Sequence, residues 1–157
     1  MLPNSFGSSI KAPIWRAWSL GVGSKNQQVI DEFRANAGVV SVTPPHGPVL
    51  LLHSKGARTG RELVTPLIYR PEGDSFVVAA SMGGWKTNPA WYYNLVASPG
   101  ASIEVGTRTL DVTAIVAQGA ECERLFAVHC ETYPQFAYYQ GKTKRQIPVV
   151  VLRPPSS

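Results

Sequence analysis

The chain of 157 residues is 44% apolar and 16% charged, which suits one domain around one core and excludes a disordered chain. Its formal net charge of +5 favours an anionic partner: nucleic acid, anionic lipid, or a phosphorylated or polycarboxylate ligand. Met1 to Ser9 lacks the basic start and apolar run of a signal peptide, and apolar stretches such as Pro48 to Leu52 are too short to span a bilayer. The expected location is the cytoplasm, with the inner face of the plasma membrane as an added possibility.

The first segment, Ile14 to Val22, sets Trp15 and Trp18 around Arg16. It reads as a short packed helix or as an interfacial anchor for peripheral membrane contact. Residues 1–25 are therefore separated from a domain at 26–157. Asn26 to Ala37 is an amphipathic helix with Val29, Ile30 and Phe33 on one face, and Gly38 stands at the place of a C-terminal glycine cap. A proline-containing linker, Val39 to Gly47, leads into the body.

Val49 to Ser54 is a continuous apolar run, expected as a strand buried on both faces. Lys55 to Arg61 is a tight basic turn. Leu63 to Arg70 is a second strand interrupted by Pro66, and Pro71-Glu72-Gly73-Asp74 turns into a third, Ser75 to Ser81. After a glycine-rich loop, Met82 to Thr87, Asn88 has the character of an N-cap and Pro89 that of a first helical residue. This helix carries Trp91, Tyr92, Asn94 and Leu95 and stops before Pro99. Ser102 to Val105 and Thr109 to Val116 form a hairpin about Gly106-Thr107. Gln118 to Thr132 is helical, Tyr133 to Gln140 is an aromatic loop or helical turn, and Pro148 to Leu152 closes the fold. Cys122 and Cys130 are eight positions apart on the expected helix. At ~1.5 Å per residue they lie too far apart to bridge. About six short strands with flanking helices predict an α+β, mainly β protein: a small antiparallel barrel.

Several chemistries lack their motif. There is no G-x-S-x-G elbow, no G-x-x-x-x-G-K-[ST] phosphate loop and no G-x-G-x-x-G opening a helix. His46, His53 and His129 lack metal-ligand spacing, so no metal is expected.

Three features remain. In the basic turn, Lys55, Arg58 and Arg61 surround two glycines; it is an anion site or a solvated hairpin tip. Val77 to Gly84 ends a strand in small residues and glycines, giving a shelf for a flat ring or an ordinary turn. Pro66 marks a bulge or pairing gap beside that shelf. Tyr133, Phe136, Tyr138 and Tyr139 form an aromatic segment, either a wall for a lipophilic acceptor or a packing stripe. The aromatics are not interleaved with the basic turn, so nucleic acid is not expected.

Gly56-Ala57-Arg58-Thr59-Gly60, Val64-Thr65-Pro66-Leu67, Ala79-Ala80-Ser81-Met82-Gly83-Gly84, Asn88-Pro89-Ala90-Trp91-Tyr92-Tyr93-Asn94-Leu95 and Thr143-Lys144-Arg145-Gln146-Ile147-Pro148-Val149-Val150 follow in that order. In this order and spacing the chain, from the Val29 to Asn36 helix to Pro154, resembles the deazaflavin-dependent nitroreductase family. The resemblance implies a flavin-reductase-like split β-barrel of actinobacterial type that binds coenzyme F420. The oligoglutamate tail of that coenzyme matches a basic turn. By resemblance, Arg58, Thr59 and Arg61 meet the phosphate or tail. Thr65, Pro66, Ala80, Ser81, Gly83 and Gly84 border the ring and ribityl chain, and Asn88, Pro89, Trp91 and Asn94 hold the other side. Tyr133 and Tyr139 line the substrate pocket, with Ser81 near the reacting ring, and any of the three is a candidate to supply a proton. The implied activity is hydride transfer from reduced deazaflavin to a lipophilic acceptor: a quinone, an activated double bond or a nitro compound. Ile68 and Phe136 stand at family tyrosine positions, which disfavours nitroimidazole. The alternatives are a flavin mononucleotide (FMN) oxidoreductase on the same barrel and a non-catalytic lipid, fatty-acid or cofactor carrier. Oligomeric state stays open.

Overall fold

A computed structural model describes residues 23–41 and 47–156. The tryptophan pair at Trp15 and Trp18, and most of the 39–47 linker, lie outside the described residues. In chain order the elements are α1 (Gly23–Ala35), β1 (Val49–Lys55), β2 (Glu62–Ile68), β3 (Arg70–Glu72), β4 (Ser75–Ala79), a 3-10 turn (Met82–Gly84), α2 (Ala90–Ala97), β5 (Gly100–Val105), β6 (Arg108–Val116), α3 (Gly119–Thr132), α4 (Gln135–Gly141) and β7 (Val149–Arg153).

The strands form one antiparallel sheet in the order β2-β1-β5-β6-β7-β4-β3. The two edge strands are β2 and β3, yet only Tyr69 separates them in the chain. A sheet whose opposite edges are joined by one residue must curl until those edges meet, which makes the barrel. The expected single strand from Leu63 to Arg70 is thus two strands, and the sheet has seven. Pro66 makes no bulge: the β1–β2 register runs unbroken from Val49↔Ile68 to Lys55↔Glu62, with Pro66 opposite Leu51. Its missing N–H is tolerated because β2 is an edge strand.

The continuous apolar run of β1 is explained by two cores. Leu50 and Leu52 point into the main core with Val78, Ala80, Trp91, Leu95, Ile103, Val112, Val150 and Leu152. Val49 and Leu51 point outward and are covered by Val29, Ile30 and Phe33 of α1. Leu50, Leu51 and Leu52 are each 0% exposed, and burying each contributes ~1.5–3 kcal/mol. The same alternation sorts β4 and β7. Val78 and Val150 face inward, whereas Val77 and Val149 pack on Cys122 and Leu125 of α3.

Helix ends depart from expectation by single residues. Ala37 takes the left-handed position after α1 (φ 55°), and Gly38 follows it at φ 92°, its N–H bonded to Phe33 O at 2.8 Å. A Cβ on Gly38 would lie 2.6 Å from Gly106 Cα, so glycine lets the helix end touch the β5–β6 turn. At α2 the capping residue is Pro89, with no side-chain cap. Asn88 caps nothing; its amide oxygen serves Arg145 instead.

Cys122 and Cys130 are free thiols, and burial pushes the Cys130 thiol up from its ordinary value. No helix among the described residues is long and apolar enough to cross a membrane.

Candidate active site

The basic turn is rigid at its base. Gly56 N–H bonds Arg61 O and Gly60 N–H bonds Gly56 O, both at 2.8 Å, and Arg61 N–H reaches Thr59 Oγ1 at 3.2 Å. Lys55, Arg58 and Arg61 are all exposed, and none pairs with a carboxylate of the described residues. Beside the turn lies an open pocket of about 370 Å³ lined by Gly56, Ala57, Arg58, Thr59, Ala90, Tyr93 and Asn94. Asn94 ties the turn to α2. Its side-chain oxygen accepts the Ala57 N–H at 3.0 Å, and its Nδ2 donates to Ser54 Oγ at 3.4 Å.

The shelf precedes α2 in the chain. Ala79, Ala80 and Ser81 are buried, and the chain then turns through Met82 (φ 47°), Gly83 (φ 64°) and Gly84 (φ 84°). Three successive left-handed residues are costly unless glycine supplies them. Glycine at 84 has a second reason: a Cβ there would sit 2.5 Å from Tyr139 O of α4.

Arg145 binds the shelf together. Its Nη1 donates to Ala80 O at 3.2 Å and to Asn88 Oδ1 at 2.6 Å, its Nη2 to Ser81 O at 2.8 Å and its Nε to Trp85 O at 2.9 Å. Gln140 fixes the segment that carries it, donating to Arg145 O at 2.7 Å and accepting from Ile147 N–H at 3.0 Å. Neither Arg145 nor Gln140 stands out as a site residue in the sequence: Arg145 acts on backbone 60 to 65 positions away, and Gln140 only holds the segment that carries it. The one available signal is that Arg145 lies in the Thr143 to Val150 motif without a role attached.

The aromatic segment forms the wall beside the shelf. Ala79, Tyr133, Phe136, Tyr139 and Ile147 make one buried cluster, with Ile68 at its border. Tyr133 is 6% exposed, and its hydroxyl donates to Tyr69 O at 2.6 Å. The proton expected for an acceptor is therefore committed to backbone in this structure. Burial raises the Tyr133 phenol and pushes Tyr139 up to about 12. Both are neutral phenols at physiological pH.

The structure thus brings Arg58, Thr59 and Asn94 around one pocket, and Ala80, Ser81 and Asn88 around one guanidinium. Trp91 is buried in the main core, where it anchors α2. Thr65 and Pro66 lie on β2 opposite Leu52 and Leu51, with no hydrogen bond to the shelf. Among the described residues no three His, Cys, Asp or Glu side chains gather as a metal site.

The arrangement fits a deazaflavin with an acidic tail. Arg58, which has no carboxylate partner among the described residues, lines an open pocket, and the glycine turn packs against the aromatic cluster. Residues 25–154 match the family described as F420H(2)-dependent quinone reductase. The F420H(2)-dependent quinone reductase Rv1261c of Mycobacterium tuberculosis is 40% identical over 112 residues, covering 69% of this chain and 75% of the relative. The solved structure of the F420-H2 dependent reductase FDR-A superposes with a TM-score of 0.62 at 35% identity, over 70% of this chain and 100% of that one. Another, described as a domain-swapped dimer, superposes with a TM-score of 0.64 at 32% identity, over 83% of this chain and 98% of that one. The haem storage protein HutZ of Vibrio cholerae, at 18% identity and a TM-score of 0.52, shares the fold alone. The chain belongs to the F420H(2)-dependent quinone reductase family.

Proposed function

We propose that this F420H(2)-dependent reductase lays the deazaflavin ring on the Ala80 to Gly84 shelf and its acidic tail against Arg58, and that it reduces a quinone held by the wall of Ala79, Phe136 and Tyr139. One observation carries this reading. Asn94 fastens the basic turn to α2, and Asn88, at the start of α2, is fastened through Arg145 to the shelf. Anion pocket and apolar shelf are thereby held by one short helix.

When bound, the reduced coenzyme supplies a hydride rather than single electrons. The residues then have to orient, exclude water and manage one proton. Lys55, Arg58 and Arg61 complement a polyanion. Ala80 is buried in the main core and Gly84 packs on the Tyr139 backbone, so the half-buried Met82 and Gly83 would offer the flat ring its surface. Phe136 and Tyr139 keep the acceptor side apolar, which favours a lipophilic quinone over a polar oxidant. The phenol of Tyr139, held neutral by burial, suits donation of a hydrogen bond to a quinone oxygen. Ser81 or solvent supplies the proton to that oxygen, and Tyr133 builds the wall. The family is named for F420H(2), which supports the deazaflavin and not flavin mononucleotide.

Titration of the protein with F420 and with flavin mononucleotide, read by tryptophan fluorescence, tests the reading. The deazaflavin is expected to bind at least about ten-fold more tightly, ~1.4 kcal/mol. Equal or reversed affinities contradict it.

A further inference from the structure

We propose that Arg145 is a positioning residue that holds the Ser81 to Trp85 turn in the shape needed by the deazaflavin ring, an inference that rests on that turn being the ring's shelf. The turn does little to hold itself. Its internal hydrogen bonds are Gly84 N–H to Ser81 O at 2.8 Å and Trp85 N–H to Met82 O at 3.1 Å. Against them stands a run of three left-handed residues, of which Met82 carries a side chain. An isolated segment relaxes from such a conformation.

Two outside contacts prevent relaxation. On one side Gly84 lies against the backbone of Tyr139. On the other, the Arg145 guanidinium takes the carbonyls of Ala80, Ser81 and Trp85 and the side-chain oxygen of Asn88. These four acceptors span the turn from its first residue to the start of α2. A rigid planar fork with five donors can satisfy them together; a lysine ammonium, with three donors on one atom, cannot.

The chemistry of the partners supports a holding role. Among the described residues no carboxylate pairs with Arg145. Its acceptors are carbonyls and an amide, so its hydrogen bonds fix backbone rather than form an ion pair. The chain contains no acidic residue after Glu131 and none between Asp74 and Glu104. The segments that meet at the turn thus offer the guanidinium no competing carboxylate.

The test uses the full chain and three readouts: hydrogen exchange, F420 affinity and turnover. In cofactor-free protein, the amides of Gly84 and Trp85 should exchange hydrogen about ten-fold faster in Arg145→Lys, with amides of β1 unchanged. In Arg145→Ala, F420 affinity should fall by about ten-fold or more, and millimolar methylguanidinium should restore both affinity and slow exchange. In turnover, KM for reduced F420 should rise while kcat at saturation stays within about three-fold. Exchange at Gly84 and Trp85 that keeps its wild-type rate in Arg145→Lys overturns the proposal, as does a loss of affinity that methylguanidinium fails to restore. If Arg145→Ala does not fold, Arg145→Lys carries the readouts. Wild-type protein that binds no F420 would instead refute the cofactor assignment, and the exchange data would still decide whether Arg145 holds the turn.

Discussion

Tyr133 donates its phenolic hydrogen to the carbonyl of Tyr69 at 2.6 Å, and Tyr69 is the one residue between the two edge strands of the sheet. A side chain of the aromatic wall is thereby bonded to the point where the barrel closes. Tyr133→Phe keeps the ring and removes this bond. We expect a stability loss of ~1–2 kcal/mol, with quinone turnover at saturating reduced F420 within about three-fold of wild type. A positioned proton donor would instead be worth ~10²–10⁴-fold in rate. Thermal unfolding and turnover on the same samples distinguish the two. A hundred-fold slower enzyme of unchanged stability would make Tyr133 the donor after all.

Asn94 is 4% exposed and satisfies Ala57 N–H and Ser54 Oγ from α2. Asn94→Ala strands those groups, which costs ~1–3 kcal/mol. Because the bond to Ala57 also fixes the basic turn, F420 affinity should weaken in the same variant. Denaturant unfolding and F420 titration read both effects. A destabilised variant of unchanged affinity would uncouple the turn from the site.

Arg58 lines the pocket at the turn and has no carboxylate partner among the described residues. Its charge is available to a ligand, so Arg58→Ala should cost ~1–3 kcal/mol of F420 binding at low salt. The deficit should shrink as salt rises. A salt-independent deficit would point to packing instead of charge.

His129 is 0% exposed, its ring meets Phe136 edge-on at 4.4 Å, and neither ring nitrogen has a hydrogen-bond partner. Burial, with the Arg70 charge adding to it, pushes its pKa from 6.5 down to about 4. The unfolded chain therefore takes the proton first. Stability is full above pH 6.5 and falls as pH drops from there towards 4, a loss on the order of 3 kcal/mol from this residue. His129→Phe abolishes that component. Glu72 and Glu104, whose carboxyls are held low chiefly by Arg70 and by Arg34, lose stability at acid pH in both proteins and cancel in the comparison. Unfolding free energy measured from pH 7 to pH 4.5 should decline less steeply in the variant. Parallel curves would mean that His129 reaches solvent.

The parts of the fold that were legible in the sequence are those with local causes. The β1 run from Val49 to Leu52 announces burial on both faces, and Gly106-Thr107 announces a hairpin; both are present. The break at Tyr69 was not legible, because leaving one edge strand and joining the opposite edge is decided by barrel closure. At the site, the basic turn, the glycine shelf and the aromatic wall each carried a composition signal. The bonds that join them did not. Arg145 reaches carbonyls 60 to 65 positions away, and backbone acceptors leave no trace in residue identity. Asn88 shows the same effect in reverse: its local pattern is that of a cap, and the longer-range demand of Arg145 takes its oxygen.

In the proposed site, reduced F420 passes hydride to a quinone. Mixing the purified protein with reduced F420 and a naphthoquinone, and following reappearance of oxidised F420 by its absorbance, decides this. Oxidation is expected to be proportional to protein concentration, dependent on the quinone and diminished in Arg58→Ala at low salt. Tight binding of F420 with no protein-dependent oxidation by any quinone offered would contradict it.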